Sequence, residues 1–154
     1  MLSMKAKYAT RALMVLAANE GKMLQSKTIA READAPMKFL EAILLELKNN
    51  GLVESRRGIF GGYYLAKPAK DIMLGEVIRL MDGMLAPIHC ASLNSYRKCD
   101  DCVDENACAI RHAMIEVRNA TSAVLDSKTL ADMVRTQMKK QTSPSPVLHG
   151  RGPG

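Results

Sequence analysis

The residues of this chain that are best suited to chemistry lie between positions 89 and 112, which hold every cysteine and two of the three histidines. They are Cys90, Cys99, Cys102, Cys108, His89 and His112. Thiolates and imidazoles are the side chains that bind zinc and iron–sulfur clusters. The segment therefore predicts a metal site or a centre of redox-active thiols.

The spacing of these residues narrows the kind of site. Cys99 and Cys102 form a Cys-x2-Cys pair, and Cys108 and His112 follow it. Because no second such pair occurs, the two-knuckle zinc ribbon is not predicted. Cys108 and His112 lie one helical turn apart, so they share a face if a helix begins near Asn106. The amides at the start of that helix would favour a thiolate at Cys108.

The composition limits the class of protein and of partner. A chain of 154 residues is long enough for one domain with its own core. The formal net charge of +6 favours a polyanionic partner. Because aromatic residues make up 4% and Trp is absent, a stacking platform for single strands is not expected. Double-stranded DNA is therefore favoured over unpaired RNA.

The sequence also predicts where the protein works. It has neither a leader-like apolar run behind a basic start nor an apolar stretch as long as a membrane span. We therefore expect a cytoplasmic protein with no membrane partner. In that compartment, clustered cysteines are more often metal ligands or redox switches than structural disulfides.

Three helices are predicted in the first third of the chain. Apolar residues recur with a helical period over 9–19, 27–33 and 37–49. Ser26 is the candidate cap of the second helix, and Pro36 suits the first turn of the third. Three short helices joined by tight turns predict a helix-turn-helix.

A β-hairpin is predicted directly after these helices. Strand-like runs occupy 52–56 and 63–66, and a basic, glycine-rich turn joins them. A hairpin in this position is typical of the wing of a winged helix. The predicted fold class is mainly α with a small β-hairpin: a winged helix-turn-helix domain over 1–82, followed by a long C-terminal dimerisation helix.

The long helix is predicted over 106–125, after a shorter helix over 73–81. Its seam alternates spacings of four and three: Ile110, Met114, Val117, Thr121 and Val124. Such a seam is typical of a helix that packs on a partner helix. Pairing with a second copy would fit palindromic DNA half-sites, whereas packing within the chain is the alternative.

The remaining organisation follows from these elements. Residues 83–107 are predicted to form a cysteine-rich sensor loop. Residues 108–138 are predicted to form the dimerisation helices, the last of which starts at Thr129. The composition of 139–154, rich in Ser, Pro and Gly, predicts a disordered tail.

The candidate DNA contacts lie in the first turns of the third helix and in the wing, because these parts of a winged helix reach base edges and phosphates. They are Lys38, Phe39, Glu41, Arg56, Arg57, Gly58, Gly61 and Gly62. The glycines would let a backbone approach closely. In the alternative interpretation, Phe39 and Leu40 belong to the core, and Lys38 and Glu41 form a solvated pair.

An ordered set of motifs extends over residues 2–135. It comprises KYATRAL at 7–13, FLE at 39–41, LKNNGLV at 47–53, RG at 57–58 with GGY at 61–63, LGEVI at 74–78, and the cysteine block before the long helix. With these motifs the chain closely resembles the IscR/NsrR/RirA-type family of bacterial winged-helix regulators. The resemblance implies a homodimer with crossed long helices and DNA bound by the third helix and the wing.

The resemblance also implies an iron–sulfur cluster, 2Fe–2S or 4Fe–4S, on three cysteines before the long helix. Cys90, Cys102 and Cys108 match that trio best, because Cys102 and Cys108 keep the usual five-residue interval. Cys99 is an extra thiol and the preferred fourth ligand, since an all-thiolate set favours iron–sulfur. His112 is the alternative, although it lies one residue further from Cys108 than the histidine of the IscR branch.

One further departure concerns the start of the chain. Lys7 stands where the nitric-oxide-sensing branch has an acidic ligand near its N-terminus. The fourth ligand is therefore not carried over from that branch.

These expectations combine into a DNA-binding regulator, acting as a repressor, whose iron–sulfur cluster responds to redox state, nitric oxide or iron. Some relatives lack a cluster, so the alternative is a regulator without iron, switched by zinc or by cysteine oxidation. An enzyme or small electron carrier is not expected, because the chain lacks paired catalytic acids, a nucleophile triad and a cofactor fingerprint.

Overall fold

The computed structural model describes residues 2–143 of the 154-residue chain. In chain order it contains α1 (Met4–Ala18), α2 (Ser26–Glu32), α3 (Met37–Asn49), β1 (Val53–Arg56), β2 (Gly62–Leu65), α4 (Leu74–Asp82), α5 (Ala109–Leu125) and α6 (Leu130–Thr142). Two short 3-10 helices, Ala69–Asp71 and His89–Ala91, lie in the connections. The predicted class, mainly α with one antiparallel hairpin, is confirmed. None of the helices described combines the length and the apolar character that a bilayer crossing requires.

Helix α3 has the predicted bounds because its large apolar residues share one face. Leu40, Leu44 and Leu47 are fully buried. Pro36 has an extended backbone directly before the first turn, where its missing N–H leaves no bond unmade. Gly51 follows the helix at φ 74°, in the left-handed region that favours glycine.

Helix α1 starts at Met4, earlier than the apolar pattern predicted, because Ser3 caps it. The Ser3 hydroxyl accepts a hydrogen bond of 3.0 Å from the Ala6 N–H. The Ser3 N–H donates to the Asp82 carboxylate at 2.9 Å. The predicted start near Ala9 was wrong because Ala6 is fully buried but has too small a side chain to mark an apolar period.

Helix α2 begins at Ser26, so the prediction that Ser26 is its cap is wrong. Gln25 holds the cap position, because the chain before it is still extended where Leu24 pairs with Tyr63. Asp34 adopts φ 49° in the turn that leads to α3. The short helix and the tight turn together form the predicted helix-turn-helix.

Strands β1 and β2 form the wing. They pair in antiparallel register, with Val53 opposite Leu65. Tyr63 on β2 also exchanges backbone hydrogen bonds of 2.8 and 2.9 Å with Leu24. These two hydrogen bonds attach the base of the wing to the segment between α1 and α2.

One core joins the helix-turn-helix to the helices that follow it. Fully or almost fully buried side chains come from five helices, among them Leu13, Ile29, Leu44, Val77 and Leu130. Burial of each large aliphatic side chain contributes about 1.5–3 kcal/mol. Helix α6, although last in the chain, therefore belongs to the same unit as α1.

Helix α5 packs differently from the other long helices. None of its residues is buried, and it contacts α4 and the 3-10 helix around Cys90. The seam residues Ile110, Val117 and Val124 are all exposed. Packing of the whole seam within the chain, the alternative left open by the sequence, is therefore not observed among residues 2–143, whereas the other two seam residues, Met114 and Thr121, are half-buried.

Helix α6 begins with a capping box. The Thr129 hydroxyl accepts from the Asp132 N–H at 3.0 Å, and the Asp132 carboxylate accepts from the Thr129 N–H at 3.1 Å. The helix continues to Thr142, so the predicted tail boundary at 139 is wrong. The Lys-Lys-Gln-Thr run at 139–142 prolongs the helix, and the Ser- and Pro-rich composition starts only at Ser143. The rest of the predicted tail, 144–154, lies outside the described residues.

An ion pair joins the end of α5 to α4. Asp126, which follows α5, accepts two hydrogen bonds of 2.7 Å from the Arg79 guanidinium. These bonds lower the pKa of the Asp126 carboxyl from its ordinary value. Gly75 leaves the room that the pair occupies, since a Cβ there would lie 2.0 Å from Asp126 Oδ1.

We expect Asp126→Asn to lower the Tm slightly at neutral pH, because a partly exposed pair of this kind contributes about 0.5–1 kcal/mol. The folded pKa of Asp126 is depressed. Its contribution is therefore present above the unfolded pKa and is lost as the pH falls through the folded value. Thermal unfolding of both proteins from about pH 7 to about pH 3 should show a Tm gap that closes in acid.

The matched control is Asp34→Asn, because Asp34 is exposed and its carboxylate lies 3.9 Å from its nearest cation, on Arg11. Asn also tolerates the positive φ of that position. This variant should keep the wild-type Tm at every pH. A gap for Asp126→Asn that stays constant into acid would contradict the assignment.

Candidate DNA-binding surface and cysteine segment

The first turns of α3 present polar and aromatic side chains to solvent. Lys38, Phe39 and Glu41 are exposed, whereas Leu40 between them is fully buried. Phe39 is 57% exposed. The alternative interpretation, which placed Phe39 in the core, is therefore wrong for this residue. Neither Lys38 nor Glu41 takes part in a salt bridge within the described part of the chain. The start of α3 is therefore available for a partner.

The wing presents two cations beside its turn. Arg56 and Arg57 are exposed, and neither forms a salt bridge among residues 2–143. The adjoining glycines serve the hairpin's own backbone. Gly58 adopts φ 111°, and a Cβ on Gly61 would lie 2.1 Å from the Arg56 carbonyl oxygen. The sequence predicted that these glycines let the backbone of a nucleic acid approach closely. The structure shows that the hairpin's own backbone already requires glycine at Gly58 and Gly61.

The recognition helix and the wing are held together as one unit. Lys48, in the last turn of α3, donates from Nζ to Ser55 Oγ on β1 at 2.7 Å. The Leu52 N–H donates to the Leu47 carbonyl at 3.0 Å, and the Ala66 N–H donates to the Leu52 carbonyl at 3.0 Å. A helix start and a basic hairpin on one rigid support suit simultaneous contact with two grooves of a duplex.

The 3-10 helix His89–Ala91 buries Cys90 and brings it to Cys99. Cys99 is exposed, and its Sγ lies 3.7 Å from the Cys90 Sγ. Two thiolates on one tetrahedral metal, with bonds of about 2.3 Å, would lie about 3.8 Å apart. The pair is therefore spaced as two ligands of one metal ion, or as two thiols within reach of oxidation.

The other two cysteines occupy a turn and a helix start. The Cys102 N–H donates to the Cys99 carbonyl at 3.2 Å, which closes the Cys-x2-Cys segment into a turn. Cys108 is the N-cap of α5, and its Sγ accepts from the Arg111 N–H at 3.4 Å. The helix thus starts directly after Cys108, later than the predicted start near Asn106.

Both histidines of the segment make hydrogen bonds to backbone carbonyls. His112 Nε2 lies 2.7 Å from the Asn106 carbonyl oxygen. Because a carbonyl only accepts, Nε2 carries the proton, and Nδ1 is the nitrogen left for a metal. His89 Nδ1 donates in the same way to the Ser95 carbonyl at 3.1 Å. His89 therefore holds the loop that leads from Cys90 to Cys99.

The donor types of the cysteine segment fit an iron–sulfur cluster, but their arrangement in one chain is incomplete. Within residues 2–143, no three side chains of His, Cys, Asp or Glu lie close enough together to hold a metal ion. The contact between Cys90 and Cys99 is formed, whereas Cys102, Cys108 and His112 are not gathered around it. Binding of a cluster would therefore require the segment to close.

Two of the thiols resist ionisation in this arrangement. The hydrogen bond with Cys90 raises the pKa of the Cys99 thiol, and partial burial raises the pKa of the Cys102 thiol. The thiolate is the form that binds metals and attacks oxidants. Binding of a metal must therefore displace protons from these two residues.

Two arginines of α5 hold the turn around Cys90. Arg111 Nε donates to the Cys90 carbonyl at 3.0 Å, and Arg118 Nη1 donates to the Ala91 carbonyl at 2.5 Å. Neither arginine was expected from the sequence, because an arginine on a polar helix is ordinary and their seven-residue spacing is the one available signal. Through these bonds a movement of the cysteine turn acts directly on α5.

Comparison with known proteins gives consistent matches over most of the chain. The family model described as "Rrf2: Iron-dependent Transcriptional regulator" matches residues 2–136. An rrf2-like HTH-type transcriptional regulator of Rhodobacter capsulatus is 42% identical over 138 residues, which cover 87% of this chain and 92% of the relative.

Solved structures agree with these sequence matches. CymR, the global cysteine regulator of Bacillus subtilis, is 31% identical with a TM-score of 0.73, over 88% of this chain and 97% of that one. IscR of T. potens is 29% identical with a TM-score of 0.74, over 94% and 93%. These proteins are regulators rather than enzymes, and so is the chain described here, which belongs to the Rrf2 family of winged-helix transcriptional regulators.

Proposed function

We propose that this chain is a cytoplasmic repressor whose affinity for an operator is set by an iron–sulfur cluster held in residues 90–108. Membership of a regulator family supports control of transcription, and the matching model is itself described as iron-dependent. The observation that carries the sensing function is the pair of hydrogen bonds from Arg111 and Arg118 to the turn around Cys90.

The proposed partner is an operator in double-stranded DNA. Lys38, Phe39 and Glu41 would meet base edges in the major groove, because they are exposed at the start of α3. Arg56 and Arg57 would bind phosphates, and the net charge of +6 supports such contacts. The wing would lie close to the DNA backbone, and its turn would owe its shape to Gly58, Gly61 and Gly62.

The proposed ligands are thiolates of the cysteine segment. The family resemblance assigns Cys90, Cys102 and Cys108, and we infer that Cys99 is the fourth. Its Sγ already lies 3.7 Å from that of Cys90, and four thiolates favour iron–sulfur over zinc with histidine. His112 is the alternative through Nδ1, because its Nε2 is occupied by a backbone carbonyl.

The proposed control of DNA affinity is an energetic coupling between two sites. When bound, an iron–sulfur cluster supplies a group that oxygen, nitric oxide, peroxide or iron shortage alters or removes. Closure of residues 90–108 would move the backbone of Cys90, and the two arginines would transmit that movement to α5. A coupling of about 1–3 kcal/mol would change DNA affinity about 5- to 150-fold.

A homodimer is part of the proposal, and the seam of α5 supports it. Ile110, Val117 and Val124 lie exposed on one helix that buries none of its residues within its own chain. A stripe with this spacing is stable when a second helix covers it. Two copies related by a two-fold axis would present two recognition helices to a palindromic operator.

We expect Val117→Glu to convert a dimer into a monomer, because it places a charge in the middle of the apolar seam. Light scattering on the purified protein would report the change in mass. Asn119→Glu is the matched control, since it adds the same charge on another side of α5 and keeps an oxygen for Arg118. A dimer that survives Val117→Glu, or a wild-type monomer, would contradict the assignment of the seam.

We expect Arg57→Ala to weaken binding to duplexes of unrelated sequence to a similar degree, because a phosphate contact carries no base information. The slope of log K against log salt concentration should fall in magnitude by about 0.9 for one lost phosphate contact. Fluorescence anisotropy at several salt concentrations measures both quantities. Lys139→Ala, which removes an exposed cation from α6, should leave the slope unchanged. If the slope for Arg57→Ala equals that of the wild type, Arg57 does not bind a phosphate.

A second candidate function is regulation by thiol oxidation without iron, and the 3.7 Å contact between Cys90 and Cys99 favours it. A peroxide would accept two electrons and the two thiol hydrogens, so that one S–S bond forms and the peroxide is reduced to water and, for an organic peroxide, an alcohol. The same backbone turn would move, so Arg111 and Arg118 would serve either mechanism.

We expect protein purified without oxygen to be coloured and to contain iron and sulfide. Cys102→Ser should lose colour, iron and sulfide but keep the wild-type circular dichroism, because Cys102 lies in the loop and not in the core. Val103→Ser, next to Cys102 in the same loop and highly exposed, is the control and should stay coloured. Gel shifts with and without the cluster should give different Kd values.

The contrary outcome distinguishes the two candidate functions. A colourless wild type without iron contradicts the cluster. If peroxide then removes two thiols from the wild type and none from Cys99→Ser, regulation by oxidation is supported in its place. Bound zinc in the colourless protein would instead indicate a metal site on the same thiols.

A further inference from the structure

The tip of the wing carries two large apolar side chains that no other part of residues 2–143 covers. Ile59 is 87% exposed and Phe60 is 89% exposed. Tight turns usually hold Gly, Asn, Asp, Pro or Ser, whose small or polar side chains suit water. One exposed apolar residue is ordinary. Two adjacent ones at the tip of a hairpin indicate a surface that a partner covers.

The turn presents these side chains in a defined orientation. The Gly61 N–H donates to the Gly58 carbonyl at 3.0 Å, which closes a four-residue turn with Ile59 and Phe60 at its centre. Gly58 has φ 111°, a conformation that other residues rarely adopt. A Cβ on Gly61 would lie 2.1 Å from the Arg56 carbonyl oxygen. The backbone under the apolar pair is therefore tightly constrained.

The base of the wing is held as firmly as its tip. Tyr63 and Leu24 exchange two backbone hydrogen bonds. Gly62 packs so closely against this segment that a Cβ would lie 2.6 Å from the Leu24 carbonyl oxygen. A side chain on such a support loses little freedom on binding, so its contacts are made at low entropic cost.

The charge next to the tip identifies the class of partner. Arg56 and Arg57 are exposed beside the apolar pair, and in the described part of the chain neither has an acidic partner within salt-bridge distance. A DNA groove offers a complementary pattern, because phosphates line its edges and a wedge that opens a base step meets the apolar faces of the bases. An apolar groove on a protein would leave the two cations unpaired.

We propose that Ile59 and Phe60 form an apolar wedge that enters the minor groove of the operator, separates one base step and kinks the duplex, while Arg57 binds a flanking phosphate. This inference rests on the proposed function, since it requires that the chain binds duplex DNA. Phe and Ile are among the side chains that act as minor-groove wedges, and such wedges bend DNA by about 20–90°.

The wedge gives the wing a role in sequence selection. Arginine contacts to phosphates read no bases. The cost of opening a step depends on its sequence, and pyrimidine–purine steps such as TA and CA open most easily. The wing would therefore favour operators with a flexible step at the position of Phe60, without any hydrogen bond to a base edge.

The experiment uses the full chain and a duplex that the wild type itself selects from a random library. Dyes at the two ends report bending by energy transfer, and a fluorescent adenine analogue at each step in turn reports unstacking. The test variant is the double substitution Ile59→Ser with Phe60→Ser, because Ser suits a turn. Phe60→Leu is the conservative variant, and Arg57→Ala removes the charge but keeps the wedge.

We expect the wild type to bend the duplex and to raise the analogue's emission at one step. The double serine variant should bind with an unchanged salt slope, without bending, and with affinity lowered about tenfold, because the contacts that the bend permits are lost. Phe60→Leu should still bend the duplex, because it keeps an apolar side chain at the tip. Arg57→Ala should reduce the salt slope but still bend the duplex that it binds.

Several results would overturn the proposal. A wild type that binds the duplex without bending or unstacking it, or a double serine variant that bends it equally, excludes the wedge. A double variant that changes the mass of the protein in solution and leaves the DNA signals unchanged identifies the tip as a contact between copies. A wild type that selects no duplex from the library contradicts the proposed function itself.

Discussion

Helix α5 is held on the rest of its chain by hydrogen bonds from guanidinium groups and by side chains that are at most half-buried. A hydrogen bond to a charged group contributes about 1.5–3 kcal/mol. That is comparable to the burial of one large aliphatic side chain, and the core that joins α1, α3, α4 and α6 contains many of these. The position of α5 is therefore the least costly part of the helical architecture to change.

The polar contacts of α5 are distributed from its first turn to the residue that follows it, and they join it to different elements. Arg111 and Arg118 hold the turn around Cys90, and the ion pair of Arg79 with Asp126 joins the C-terminal end to α4. Helix α4 in turn packs on α1 within the common core. A continuous set of contacts thus leads from the cysteine turn to the DNA-binding unit, and packed side chains and hydrogen bonds of this kind are able to carry coupling between distant sites.

Much of the fold could be predicted because its signals are local. The bounds of α3 follow from large aliphatic residues with a helical period, such as Leu40 and Leu44. The start of α1 could not, because the buried Ala6 is small and its cap, Ser3, is fixed by Asp82 far along the chain. The end of α6 was placed too early because the composition of 139–154 was taken as one tail.

In the cysteine segment too, the residue types could be predicted from the sequence, but their geometry could not. Residue types alone singled out Cys90 and Cys99 as candidate ligands. Their contact of 3.7 Å depends on how the loop folds, and that fold depends on Arg111, which bonds the Cys90 carbonyl from 21 residues away. No short-range pattern encodes such a bond. The apolar wing tip was not predicted for another reason, since Ile59 and Phe60 are neither cations nor glycines, the residue types from which wing contacts to DNA are expected.

The contrast between a firmly held DNA-binding unit and a loosely held α5 restricts how the proposed regulator works. Leu40 and Leu44 fix α3 in the core, and the bond from Lys48 to Ser55 fixes it to the wing. A signal at the cysteines is therefore a poor means of reshaping one recognition helix. Cys108 caps the same helix that carries the exposed seam, so closure of the segment would act at the proposed interface between two copies. DNA affinity would then change because the distance between the recognition helices of the two copies changes.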